Sequence, residues 1–181
     1  MRILGLDVST SIIGYAILDS DELSGIVEIG HIDFSKCNDF WEKVDFARKR
    51  LTEIISKHKP EKTYIEESLM GFSSGLSSAG TLFTLAKFNA LVTFFVREEM
   101  NETPVYISAG SARKSCGIKL LQKKKCGLSH KEQTFNWMLA GPLSTFEFPK
   151  GRTGKFKSFA YDEVDGFVIA LAATKINKTA I

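Results

Sequence analysis

The chain has 181 residues, 44% of them hydrophobic and 25% charged, with a formal net charge of +3. That length suits one core and is short for two. The composition excludes a disordered or low-complexity chain, and so small a net charge leaves any case for nucleic acid to the distribution of charge.

Cys37, Cys116 and Cys126 form no CxxC pair and are odd in number, which argues against a disulfide framework and for a reducing compartment. No apolar run reaches the length expected of a membrane span, and the N-terminus lacks the basic-then-apolar order of a signal peptide. The expectation is a single-domain cytoplasmic protein over residues 1–181, in the host's cytoplasm if the chain is viral or phage-encoded, with no membrane association.

Residues 2–8 and 12–18, rich in Ile, Leu and Val, flank the polar turn Ser9-Thr10-Ser11 and predict an antiparallel hairpin whose first strand runs out to Asp7. A third strand is predicted over 25–34. From Asn38, read as an N-cap, the spacing of Trp41, Val44, Ala47, Leu51, Ile54 and Ile55 predicts a helix that stops before Pro60. A short buried strand over 62–66 ends in Glu66-Glu67. The Gly/Ser segment 71–80 precedes a long apolar helix over 81–100, then a strand over 104–108. Ser129-His130-Lys131-Glu132 is a capping box opening a helix to Ala140, and after a Gly/Pro loop the last helix runs over 161–177. Alternating strands and helices give an α/β fold.

Asp162 and Asp165 are three residues apart and so share a helix face. Acids at a helix start also favour the macrodipole, but Asp165 leads directly into the apolar run 166–173, which turns its face toward a sheet. If the fold gathers Asp7, Glu66, Asp162 and Asp165, their repulsion and desolvation call for cations. Hard divalent ions with oxygen ligands, Mg²⁺ or Mn²⁺, suit them. Two such ions roughly 4 Å apart can activate water and stabilise the leaving oxygen at a phosphodiester.

GLDVSTSIIGYAIL, TYIEESLMG, SHKEQ and YDEVDGFVIALAA, in that order and spanning almost the whole chain, resemble the motifs of the RuvC family of Holliday junction resolvases. The resemblance implies an RNase H-like fold of the retroviral integrase superfamily, a mixed five-stranded sheet with its first three strands antiparallel and helices on both sides. It also implies a homodimeric endonuclease that resolves four-way junctions by paired nicks. The family's metal-ligating acids fall on Asp7, Glu66, Asp162 and Asp165, serving two Mg²⁺ ions for which Mn²⁺ can substitute; Glu67 and Glu163 are the rival assignments. Glu66 is preferred to Glu67 because it shares a strand face with Tyr64. The family's lysine falls on Lys131, read either as a phosphate contact or as a solvated first-turn residue, and a second basic position falls on Arg113 or Lys114.

From 103 to 131 there is no acid, while Arg113, Lys114, Lys119, Lys123, Lys124, Lys125 and Lys131 fall there. Lys150, Arg152, Lys155 and Lys157 follow just before the last helix. Such one-sided patches suit phosphates and give strongly salt-dependent binding. Phe72, in the loop after the second acidic motif, reads either as a wedge at the junction centre or as a cover over the core or a dimer face. The apolar helix 81–100 reads as core or as dimer contact. Other readings are a nuclease of broader branched-DNA specificity, cutting flaps and forks, and a junction-binding module without catalysis. The histidines and cysteines lack the spacing of a zinc site.

Overall fold

The computed structural model describes residues 1–20, 25–67 and 79–179. Among these residues five strands, β1 (Arg2–Val8), β2 (Ile12–Asp19), β3 (Ile26–Asp33), β4 (Lys62–Glu66) and β5 (Val105–Ile107), form one sheet in the order β3-β2-β1-β4-β5. β1, β2 and β3 are antiparallel, whereas β4 and β5 join in parallel with β1. This is the mixed sheet expected. The helices that accompany it are α1 (Phe40–His58), α2 (Ala79–Met100), α3 (Ala109–Ser115), α4 (Lys123–Cys126), α5 (His130–Ala140) and α6 (Phe159–Thr179).

Side chains alternate across a strand, so the sheet has two apolar faces and two cores. Leu4, Leu6 and Val8 of β1 pack with Ile13, Ile17 and Ile32 against Val44 and Leu51 of α1 and Phe88, Val92 and Val96 of α2. On the opposite face Ile3, Ala16, Leu18 and Tyr64 pack against Val164, Phe167 and Val168 of α6, with Phe135 and Met138 of α5 and Ala112 of α3 beyond. Because β1 and β2 are covered on both faces, they read as nearly continuous apolar runs.

The tight hairpin between β1 and β2 is held by Ser9, whose hydroxyl donates to the Ile12 carbonyl at 2.7 Å and accepts from the Ile12 N–H at 3.1 Å. The N-cap of α1 is Asp39 rather than Asn38. Its Oδ1 accepts from the Trp41 and Glu42 N–H groups at 2.7 and 2.9 Å, while Glu42 reaches back to the Asn38 N–H at 2.6 Å. An anionic acceptor at the helix start outcompetes the neighbouring amide.

Three further differences from the sequence reading are physical. Residues 109–126, read only as a basic segment, contain α3 and α4. Within 141–158 Lys150 and Phe156 form an isolated antiparallel bridge. By length and composition α2 is apolar enough to cross a membrane, against the expectation that no segment was; Phe88, Val92, Phe95 and Val96 bury one side of it in the core. Phe72 and residues 71–78 of the Gly/Ser loop lie outside the described residues.

Candidate active site

The sheet has its change of sense at β1, antiparallel to β2 on one side and parallel to β4 on the other. Asp7 sits near the C-terminal end of β1, and Glu66 ends β4, one step beyond the Leu6–Ile65 pair. Carboxyl ends of parallel strands beside a switch in topology are the usual place for a site in open α/β sheets.

Glycines bring α6 to these acids. In the strand register Asp7 pairs with Gly14, and Gly14 with His31, so one row crosses β1, β2 and β3 on a single face. The start of α6 lies directly on that row. A β-carbon at Gly14 would stand 1.8 Å from the Asp162 carbonyl oxygen, and one at Gly166 2.7 Å from the Gly14 backbone. Helix backbone thus touches strand backbone, which delivers Asp162 and Asp165 to the end of β1.

Lys131 and Arg113 arrive from the other helices of this face. The capping box of α5 is formed, with the Ser129 N–H donating to Glu132 at 2.7 Å and the Glu132 N–H to the Ser129 hydroxyl at 3.2 Å. It fixes the first turn from which Lys131 donates to Asp162 Oδ1 at 2.5 Å and approaches Asp165 Oδ2 at 3.2 Å. α3 begins just after Ser108, which follows β5 and whose hydroxyl caps the Ser111 N–H at 3.1 Å. From that helix Arg113 reaches to 3.7 Å from Asp165 Oδ1. Its Nε is buried without a hydrogen-bond partner among the described residues.

The electrostatics follow from crowding like charges in a partly dry place. Burial, then Glu66, Asp165 and Asp162, push the Asp7 carboxyl well above its ordinary range, with Lys131 opposing. Burial and Asp165 push Glu66 up against Arg113 and Lys131. Asp165, 7% exposed, is raised by burial despite Lys131 and Arg113. Burial works against the Lys131 ammonium, yet Asp165, the bond to Asp162 and the charge of Asp7 hold its proton more tightly than usual. The acids therefore carry more negative charge than their surroundings offset.

Asp7, Glu66, Asp162, Asp165 and Lys131 thus come together. The two rival acids stand elsewhere: Glu67 is exposed beyond the end of β4, and Glu163 bonds His31 at 2.7 Å at the β3 end of the Gly14 row, opposite Asp7. Between the two basic alternatives, Arg113 faces the acids and Lys114 is exposed. A groove of about 450 Å³ runs from Arg113 past Lys114, Lys119 and Leu120 to His130. Lys119, Lys123, Lys124, Lys125 and Lys155 are exposed, and among the described residues none of them makes a salt bridge.

His31 and the glycines under α6 escaped the sequence reading. The glycines left a signal in their matched positions, Gly14 in the first hairpin and Gly166 after Asp165, since closely packed backbones need residues without a β-carbon.

The donors fit a hard divalent cation in kind, being carboxylate oxygens whose charge is under-compensated. In arrangement, the cation they now hold is the Lys131 ammonium. Among the described residues no three acids, histidines or cysteines stand close enough to grip an ion without adjustment.

Over nearly its full length the chain superposes on the structure of Thermus thermophilus RuvC in complex with a Holliday junction substrate. The TM-score is 0.71 at 14% identity, covering 99% of this chain and 96% of the other. The chain has the RuvC fold. The yeast mitochondrial Holliday junction resolvase Ydc2 is also similar, with a TM-score of 0.62 at 14% identity over 96% of this chain and 78% of that one. In sequence, 68 residues are 35% identical to the crossover junction endodeoxyribonuclease RuvC of Fusobacterium nucleatum subsp. nucleatum. That match takes in 37% of this chain and spans 36% of the relative's length. No family model matches the chain.

Proposed function

We propose that the chain is a structure-selective DNA endonuclease that resolves four-way junctions by metal-dependent hydrolysis of phosphodiesters. The observation that carries this reading is the gathering of Asp7, Glu66, Asp162 and Asp165 where β1, β4 and α6 meet, with their negative charge only partly offset by Lys131 and Arg113. The likeness of the whole chain to a RuvC determined with a Holliday junction supports the substrate class.

Asp7, Glu66, Asp162 and Asp165 would hold two Mg²⁺ ions, or Mn²⁺ in their place, which when bound supply activation of water and stabilisation of the leaving oxygen. The chain's own residues do the rest. β1, β4 and α6 bring the backbones of the four acids to one place, so that side-chain adjustment is what remains for them to close on an ion. Lys131 holds its proton firmly and, with its acids engaged by an ion, would be available to a phosphate oxygen. Arg113 lines the groove and places its guanidinium charge between the groove wall and Asp165. Lys114, Lys119, Lys123, Lys124 and Lys125 supply positive charge along the same side, and Lys155 supplies it on the bridge-closed loop before α6.

A homodimer belongs to this reading, because a junction has two strands of like polarity to cut. α2 supports it: Phe83 is 62% exposed and Phe94 47%, so much of this apolar helix is left uncovered. A reducing, cytoplasmic setting goes with the three free cysteines. The test offers a labelled four-way junction, a flap and a linear duplex with Mg²⁺ or EDTA. Junction cutting confined to Mg²⁺ is expected; cutting that persists in EDTA, or equal cutting of the linear duplex, overturns the reading, and equal cutting of the flap replaces it with a broader branched-DNA nuclease.

A further inference from the structure

Glu163 lies between Asp162 and Asp165 in the first turns of α6 but takes no part in their cluster. It is 7% exposed, and its Oε1 is 2.7 Å from His31 Nδ1 on β3. The His31 ring in turn stacks on Phe159, the first residue of α6, with centroids 4.0 Å apart and planes 19° from parallel. His31 pairs with Gly14, the strand residue on which the Asp162 backbone rests. The start of α6 is therefore fixed at three points: backbone on Gly14, Phe159 on the imidazole face, and Glu163 on the imidazole edge.

We propose that His31 and Glu163, with Phe159, are positioning residues that set the rotation of α6 and thereby the donor geometry of Asp162 and Asp165 toward a divalent cation. The backbone contact at Gly14 limits how close the helix comes. Val164, Phe167 and Val168 hold the body of α6 on the sheet, but at the first turn the bare glycine offers no side chain that fixes rotation about the axis. A directional bond from Glu163 to a ring held by Phe159 adds that fixed point. Rotation matters because Asp162 and Asp165 share the helix face that meets Asp7, and a turn about the axis moves both together. Groups that orient metal ligands commonly change metal affinity or activity 10–100-fold when removed.

The proposal rests on the metal-site reading above, and its test separates the two. Mn²⁺ alone is titrated into the full-length protein without DNA and followed by electron paramagnetic resonance, with thermal unfolding measured in parallel. Wild-type protein is expected to bind; if it takes up no Mn²⁺, the metal-site reading falls and the clamp with it. His31→Ala and Glu163→Ala are expected to weaken Mn²⁺ binding about 10–100-fold. Glu163→Gln, whose amide oxygen still accepts from His31, is expected to stay within about threefold of wild type, in the range of a preserved hydrogen bond.

Alanine leaves a buried partner unsatisfied, so His31→Leu/Glu163→Leu serves as the variant that fills the space with apolar side chains and keeps the fold. It is expected to unfold near the wild-type temperature and still to bind Mn²⁺ at least about tenfold more weakly. Wild-type Mn²⁺ affinity in that double variant would reduce the pair to a packing role and overturn the proposal. Equal loss in Glu163→Gln and Glu163→Ala would overturn it differently, by making the Glu163 charge itself a ligand.

Discussion

Gly14→Ala tests how the site is assembled, because it alters no charge and touches none of the acids' carboxyl groups. The added β-carbon would stand 1.8 Å from the Asp162 carbonyl oxygen, 2.3 Å from its carbon and 2.9 Å from the Glu163 nitrogen. Ordinary contact begins near 3.4 Å, so α6 must withdraw by about 1.6 Å at its first turn. The obstacle is backbone, which has no rotamer to change. Overpacking of this kind costs about 1–3 kcal/mol. A displacement near 1 Å at reacting groups costs on the order of 100-fold in rate. Single-turnover cleavage of a labelled junction, with denaturant unfolding on the same preparation, is expected to show both losses, while junction affinity in EDTA is kept because the basic groove lies on α3 and the segment after it. Wild-type cleavage by a Gly14→Ala protein of wild-type stability would refute the close approach of α6 to β2 as the source of the site's geometry.

Asp7→Asn is expected to abolish cleavage, keep junction binding, and stabilise the metal-free protein at pH 7 by about 0.5–2 kcal/mol, since it removes a crowded charge; lower stability on thermal unfolding would contradict this. The sign with pH follows from linkage. Asp7, Glu66 and Asp165 have folded values raised above the ordinary 3.8 to 4.5, so between those ordinary values and the raised ones the folded state binds more protons and stability falls as pH rises. Acidifying metal-free protein from neutral pH toward the ordinary carboxylate range should therefore raise its unfolding temperature, and Asp7→Asn should flatten the rise. Over the same range Glu28 keeps its own contribution. Burial raises its carboxyl, but bonds from Lys57 and Tyr15 outweigh this and hold it below its ordinary value, so that stability is lost only at more acid pH. Replacing Lys123, Lys124 and Lys125 by alanine should lower the dependence of log affinity on log salt by about 0.9 for each phosphate no longer neutralised; an unchanged slope would remove α4 from the DNA surface. Ser129→Ala should cost about 1 kcal/mol through the α5 cap and slow cleavage by loosening Lys131, read from unfolding and single-turnover rates together.

Much of this was legible in the chain because periodicity and position coincide. The period-2 runs around Asp7 marked the hairpin, and the switch to helical spacing after Asn38 marked the crossover. Glu66 could be favoured over Glu67 because Tyr64 and Glu66 fall on one face of β4, and Tyr64 does pack under α6. What escaped was of three kinds. The cap of α1 moved by one residue because adjacent Asn and Asp are both good caps, and only the bonds that Asp39 accepts from the Trp41 and Glu42 N–H groups distinguish them. The short helices α3 and α4 have too few turns to show an apolar period. The pairing of His31 with Glu163 joins residues 132 apart in sequence, and no local pattern encodes such a contact. Arg113 and Lys114 were inseparable for a related reason: which of two adjacent cations faces the acids depends on how α3 sits on α6.

Under the proposed function Asp7, Glu66, Asp162 and Asp165 form one site for divalent cations at the point where a phosphodiester is cut. Anomalous diffraction from crystals of the protein with a four-way junction and Mn²⁺ tests it most directly. Two Mn²⁺ peaks ligated by these four carboxylates are expected, with a scissile phosphate against them and the Lys131 ammonium moved off Asp162. Mn²⁺ bound elsewhere, or four acids still gathered around Lys131 with the junction in place and no ion among them, would contradict it.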